Sequence, residues 1–327
     1  MGLSKKTKSE MFWMMLLARR LDERAWILHR QGKITFHISG IGHEAAQVGA
    51  GYALRRGHDW IAPYYRDLAL LLSLGMTPIE FMMGLLGKEP DPESAGRQMP
   101  SHWSLKRVNV ISTSATVATQ CPHAAGIGLA IKLKGEDRVV LTTVGEGSTS
   151  QGEWYEAANW AAIHQLPVIF MVENNQYAIS ERIEKQMAVK SAAEKACGLG
   201  LPGIEVDGSN VFTVYEAMRD AIENARSGNG PSLIEARMYR MTPHSSDDDD
   251  RTYRSREEVE EQKKRDPLIV ARQVLEKEGI LDEAGYASLE EKARVAVEEA
   301  VAAANQAPYP TPEDVLQSVY AGEVIHA

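Results

Sequence analysis

The apolar stretch Val139-Val140-Leu141-Thr142-Thr143-Val144 runs straight into Gly145-Glu146-Gly147. A second such run, Pro167-Val168-Ile169-Phe170-Met171-Val172, stops just short of Asn174-Asn175, and residues 151–164 between them carry a helical pattern. Strand, glycine turn, helix and strand in this order and length make a βαβ unit, which joins two parallel strands by a right-handed crossover. No other feature constrains the fold as much, because parallel strands need helices on both faces and so imply a doubly wound, mostly parallel α/β sheet. The unit also places an acid between two glycines, and a pair of amides, at the carboxyl ends of its strands, where open α/β sheets bind ligands. Glycines let a diphosphate approach the backbone, and the helix that follows offers free N–H groups. Glu146 and Asn175 supply the hard oxygens that magnesium takes when it is shared with phosphates.

The rest of the chain fits around that unit. Apolar periodicity predicts a helix over 9–30, with Met11, Met14, Met15, Ala18, Leu21, Ala25 and Leu28 on one face. Further helices are expected from Gly42 to about Leu54, over 64–74, 77–86 and 120–134, near 190–198 and over 211–227, with strands over 203–208 and 231–240. Residues 87–116 are irregular and polar, a length of loop that in a compact domain usually serves function. From Glu257 to the final VLQSVYAGEVIHA the text is helical and charged. These elements suggest an N-terminal helical extension (1–60), a central α/β domain (61–255) and a C-terminal helical region (256–327).

A net charge of −9 argues against general nucleic-acid binding, and no apolar run is long enough to span a bilayer. The start, MGLSKKTKSEMFWMMLLARR, reads as an amphipathic helix rather than a signal peptide. Cys121 and Cys197, each among small apolar residues, are expected to be buried thiols, which fits a reducing cytoplasm.

Gly-Glu-Gly followed by Asn-Asn resembles the thiamine diphosphate motif, with Glu in place of the commoner Asp. GHEAAQVGA (42–50), APYYRD (62–67), GRQMPSHW (96–103), the 145–180 region and TPHSSDDDDRTYRSREEVEE (242–261) extend the resemblance over nearly the whole chain. Together they resemble the α subunits of bacterial branched-chain 2-oxo acid dehydrogenases. HSSDDDD-x-x-YR is the most specific string, since pyruvate and acetoin enzymes more often carry His-Ser, a single Asp and Pro. The resemblance implies a cytoplasmic enzyme that decarboxylates branched-chain 2-oxo acids and passes the acyl group to lipoamide on an acyltransferase component. It also implies an α2β2 heterotetramer with a β subunit and a site for thiamine diphosphate and Mg2+ at the α/β interface. Glu146, Asn175 and the Tyr177 carbonyl would hold magnesium. Tyr65, Arg66 and His244 would contact the diphosphate, with Gly145, Gly147, Ser148 and Ile179 in the same cradle. Val117 would prop the bent cofactor, and His244 would donate a proton or stabilise charge. Ser114, Thr119 and Gln120 match a monovalent-cation site of animal relatives. Glu173 departs from the pattern, standing where those relatives carry an arginine on the diphosphate.

Plainer readings compete at several positions. Tyr65-Arg66-Asp67 also suits a surface cluster at a helix start. His43 and His123 read as ordinary polar groups, and His102 stands between that reading and a channel lining. The aspartates 247–250 read as a solvated loop that orders on cofactor binding, in preference to a metal site. Gly126-x-Gly128 precedes its strand, so it reads as helix packing and not as a dinucleotide fingerprint. Three other functions remain open: the same fold acting on pyruvate or acetoin, a non-catalytic assembly subunit, and a phosphohydrolase using the Asp run.

Overall fold

The computed structural model describes residues 2–94 and 96–316. Its strands are β1 (Trp60–Ala62), β2 (Val140–Gly145), β3 (Val168–Asn174), β4 (Tyr177–Ala178), β5 (Glu181–Arg182), β6 (Gly203–Asp207) and β7 (Ser232–Arg237). The main sheet has the order β1-β2-β3-β7-β6 and is parallel throughout, while β4 and β5 form a short antiparallel hairpin. The helices are α1 (Lys5–Arg30), α2 (Glu44–Ala53), α3 (Leu68–Leu74), α4 (Pro78–Leu86), α5 (Gln120–Lys134), α6 (Gly152–Ile163), α7 (Ala192–Leu199), α8 (Val211–Arg226), α9 (Arg256–Lys263), α10 (Pro267–Lys277) and α11 (Glu283–Gln306).

Side-chain alternation along the strands builds two cores. Leu141, Ile169, Met171 and Ile234 point to one face, where α1, α2, α3, α4, α8, α10 and α11 pack in one continuous apolar layer. Val140, Val168, Phe170, Val172 and Leu233 point to the other, under α5, α6 and α7. Each buried side chain of this size contributes about 1.5–3 kcal/mol. The doubly wound fold expected from the βαβ unit is therefore the observed one. Gly128 serves helix packing, since a Cβ there would lie 2.7 Å from Val168 Cγ2.

Four readings need correction or delimiting. The helix expected from residue 64 starts only at Leu68, because Tyr64 N–H donates to the Asp67 carboxylate at 2.9 Å and turns residues 64–67 out of the helix. β7 ends at Arg237, the last residue paired with β6, and the chain then bends towards the carboxyl ends of β2 and β3. Cys121 is buried but Cys197 is exposed. In α7 it is Ala192 and Ala196 that are buried, and one residue further on the helix has rotated by about 100° towards solvent. The helical reading of 317–327 falls outside the described residues.

Candidate functional site

The register Gly145↔Glu173 between β2 and β3 brings Glu146 beside Asn174-Asn175. The two asparagines part company there. Asn174 turns into the sheet, donating to Glu235 at 2.5 Å, whereas Asn175 faces Glu146 and donates its backbone N–H to Glu146 Oε2 at 3.2 Å. Glu146 is 1% exposed, and its second oxygen, Oε1, is buried with no donor. Burial pushes this acid's pKa up, against the pull of its own and the Asn175 backbone N–H groups, the Gln186 side chain and the charge of Arg240. A buried carboxylate oxygen without a donor is costly, and a cation is the partner that suits it. Asn175 Oδ1 accepts from Tyr177 N at 3.2 Å, and the Tyr177 carbonyl accepts from Arg240 Nη1 at 3.3 Å, a bond that leaves one lone pair free.

Around this acceptor pocket stand guanidinium groups. Arg66, freed by the 64–67 turn, is 2% exposed, binds the Ser39 carbonyl and reaches His244 Nδ1 and the His244 carbonyl at 3.4 Å each. Tyr65 lies edge-on to His244 and beside the Arg66 guanidinium. Arg240, fully buried, donates to the Ile179 carbonyl at 2.6 Å and to Tyr253 Oη at 2.8 Å. The Nε atoms of both arginines are buried without partners. Burial, then Arg66, then Arg240 hold the His244 pKa down to about 4, and the same causes hold His43 well below the usual histidine range. Both imidazoles are therefore neutral near pH 7, in a pocket where positive charge exceeds what the neighbouring carboxylates balance.

Arg240 and His43 were not legible as site residues in the sequence. His43 lies in contact with Asn175, Nε2 to Nδ2 at 3.1 Å, so that it accepts the amide hydrogen and orients the Asn175 oxygen. The only hint was its place in GHEAAQ, at the start of α2.

The other expected residues fall as follows. Gly145 has open space where a Cβ would point, and a Cβ at Gly147 would lie 2.5 Å from Ala178 Cβ. Ser148 sits in the turn that follows, within the short 3-10 segment Glu146–Ser150. Val117 and Ile179 are exposed apolar side chains flanking the turns, at 45% and 59%. Ala118, Gln176 and Ile179 carry positive φ without being glycine, a backbone cost that tends to collect at functional sites. Ser114 is exposed, Thr119 half-buried, and Gln120 buried with its amide donating to the Thr143 carbonyl at 2.9 Å. His102 is buried and bonded to the Met99 carbonyl at 2.8 Å, and His123 is exposed.

Glu173 does not face the cradle. It is fully buried, accepts from Gln47 at 2.9 Å and Tyr64 Oη at 3.0 Å, and lies against Asp67; burial raises both acids, Glu173 raises Asp67 further, and the hydrogen bond from Asp67 pulls Glu173 back down, so that Asp67 is the one that keeps the proton. The aspartates 247–250 are tied to groups close by in the chain. Asp248 accepts from His244 N at 2.7 Å and binds Tyr253 Oη, Asp249 pairs with Arg251 and Asp250 with Arg254. Among the described residues, no group of three or more His, Cys, Asp or Glu side chains is placed to hold a metal.

The model of the dehydrogenase E1 component family matches residues 13–313. This chain belongs to that family. It is 48% identical over 321 residues, covering 98% of this chain and 97% of the relative, to the 2-oxoisovalerate dehydrogenase subunit alpha of Bacillus subtilis. It is 36% identical over 312 residues, 95% of this chain and 81% of the relative, to a pyruvate dehydrogenase E1 component subunit alpha of Staphylococcus aureus. The Mycoplasma genitalium protein of the same description is 36% identical over 294 residues, 89% and 79% of the two lengths. Among the described residues no helix is long and apolar enough to cross a membrane.

Proposed function

We propose that this chain is the α subunit of a branched-chain 2-oxo acid dehydrogenase and grips the metal-diphosphate end of thiamine diphosphate for a site completed by a β subunit. The observation that carries the reading is the buried, donorless Glu146 Oε1 opposite two buried guanidinium groups with unpaired Nε atoms. A divalent cation answers the first and a diphosphate the second, so the residues present fit the group. Glu146, the Asn175 amide oxygen and the Tyr177 carbonyl would hold Mg2+. Arg66, Tyr65 and His244 would meet the diphosphate, helped by Arg240. Gly145, Gly147 and Ser148 would let it approach, and the exposed Val117 and Ile179 would offer apolar contact to its ring.

Bound there, thiamine diphosphate would supply the electron sink that lets carbon dioxide leave a 2-oxo acid. What this chain adds is binding, orientation and charge. His244 Nδ1 receives the Arg66 hydrogen, which leaves the ring hydrogen on Nε2. With a pKa near 4 it acts there as a neutral hydrogen-bond donor rather than as an imidazolium acid, until an arriving anion raises its pKa. Acyl transfer to lipoamide on an acyltransferase component completes the proposed reaction.

The branched-chain substrate is supported by the HSSDDDD-x-x-YR string and by the 48% identity to a 2-oxoisovalerate dehydrogenase subunit, against 36% to the pyruvate dehydrogenase subunits. The test is the chain assembled with its β subunit and lipoyl acceptor, assayed with 2-oxoisovalerate, 2-oxoisocaproate, 2-oxo-3-methylvalerate and pyruvate at limiting concentration. A preference of roughly ten-fold or more in kcat/KM for the branched acids is expected, since each extra buried methylene contributes about 1 kcal/mol. If pyruvate gave the highest kcat/KM, the branched-chain assignment would fall.

A further inference from the structure

Glu258 lies on α9, outside the cradle, yet three parts of the chain that frame the cradle end on its carboxylate. Its Oε1 accepts from Tyr177 Oη at 2.8 Å and from Tyr239 Oη at 2.9 Å, and its Oε2 binds Arg182. Tyr177 and Arg182 are paired residues of the β4–β5 hairpin, so the carboxylate holds both arms of that hairpin at once. Tyr239 lies in the segment that leaves β7 and reaches Arg240 and then His244. At the N-terminus of α9 the Ser255 hydroxyl accepts the Glu258 N–H at 3.1 Å. The Glu258 side chain is thus spared from capping and extends towards the tyrosines.

A second layer backs this arrangement. The Arg254 side chain is fully buried against the Tyr177 and Tyr239 rings, and it donates to the Arg240 and Thr242 carbonyls. Tyr177 is therefore fixed at its hydroxyl by Glu258, on its ring face by Arg254, and at its N–H by the Asn175 side chain. Its carbonyl has little freedom left.

We propose that Glu258 is a positioning residue for the cation-binding half of the site: through the Tyr177 and Tyr239 hydroxyls it fixes where the Tyr177 carbonyl stands relative to Glu146 and Asn175. The inference rests on the functional reading above, which takes that carbonyl as a magnesium ligand. Supporting groups one layer behind a metal's ligands commonly change its affinity by about ten- to a hundred-fold when they are removed.

The experiment uses the chain assembled with its β subunit. Magnesium affinity at saturating thiamine diphosphate is read by tryptophan fluorescence, together with the melting temperature, for Glu258→Ala, Tyr177→Phe and the double variant. Glu258→Ala is expected to weaken magnesium roughly ten-fold, and Tyr177→Phe by less. If Glu258 acts through the hydroxyl, the double variant is no worse than Glu258→Ala alone. Unchanged magnesium affinity in Glu258→Ala, or effects of the two substitutions that simply multiply, would overturn the proposal. A second readout does not depend on cofactor: tryptic cleavage after Arg182 in the full chain is expected to speed up in Glu258→Ala, and an unchanged rate counts against the clamp. Failure of the wild-type assembly to bind magnesium and thiamine diphosphate would sink the functional reading instead, and the cleavage rates would still decide whether Glu258 holds the hairpin.

Discussion

Glu146→Gln separates two consequences of one carboxylate. In the folded chain Oε2 has a single donor, the Asn175 N–H at 3.2 Å, and Oε1 has none, both in a residue 1% exposed. A buried acceptor without a donor costs about 1–3 kcal/mol. Glutamine keeps an oxygen for the Asn175 N–H, puts an NH2 donor where Oε1 stood, beside the equally unpartnered Gln186 Oε1, changes the volume little and removes the charge. Without metal, the variant is expected to be more stable than the parent by about 1 kcal/mol, or about 2 °C in a chain of this size. With magnesium and thiamine diphosphate the order should reverse. Losing a supporting group behind a metal ligand costs up to about a hundred-fold in affinity, so losing the anionic ligand should cost roughly that or more. At a ligand concentration a hundred times its own dissociation constant, the parent gains about 2.7 kcal/mol. The variant, then near its own dissociation constant, gains about 0.4 kcal/mol. Scanning calorimetry of the assembled protein, with and without cofactor and metal, reads all four states. The crossing of the two pairs of melting temperatures is the expected signature. A variant that kept the parent's magnesium-dependent shift would show that Glu146 is not a ligand. A variant several degrees less stable without metal would refute the account of the orphaned oxygen.

Two further outcomes follow from the same geometry. The chain alone should turn over no 2-oxo acid, because the described residues build one parallel sheet with a diphosphate cradle and the proposed reading leaves the pyrimidine to the β subunit; steady turnover by the purified chain without its β subunit would refute the shared site. His244 has a folded pKa of about 4, below its unfolded value of about 6.5, so folding favours its neutral form. The stability it leaves intact above pH 6.5 is lost as pH falls towards 4, by up to about 3 kcal/mol. His244→Asn should therefore flatten the acid limb of a melting-temperature profile between pH 6.5 and 4.5, and parallel profiles for the two proteins would contradict the burial-and-arginine explanation.

The doubly wound sheet could be read from sequence because its strands are long, apolar and separated by a helix of crossover length. Glu146 and Asn175 were legible for the same reason, since glycines and strand ends fix where they stand. Arg240 was not. It lies three residues past the end of β7, and only the bend of the chain there, with its contacts to Ile179 and Tyr253, turns an ordinary arginine inward. For Glu173 the sequence left the direction open, because a comparison of positions says where a residue stands in the chain and not which way it faces; here the strand points it at Gln47, Tyr64 and Asp67. In the loop 242–254 the neighbouring arginines are visible in the sequence as partners for the aspartates, but the turn that brings Asp248 to the His244 N–H and the Tyr253 hydroxyl is not.

The strand order carries a consequence for how the chain is made. β7 lies between β3 and β6, yet it is translated after both. While residues 175–237 are being added, at about 5–20 residues per second, β3 keeps an unpaired edge for roughly 3–13 s, and β6, once made, has no sheet neighbour until β7 follows. Open strand edges recruit other open edges, so this interval is when a nascent chain is most exposed to pairing with its neighbours on the same message. Slower translation between Asn174 and Ser232 would lengthen it, whereas a helper that shields the edge of β3 would raise the yield of soluble chain. The cradle is completed after the sheet, since Arg240 and His244 emerge only after the strand that closes it, and Glu258 later still.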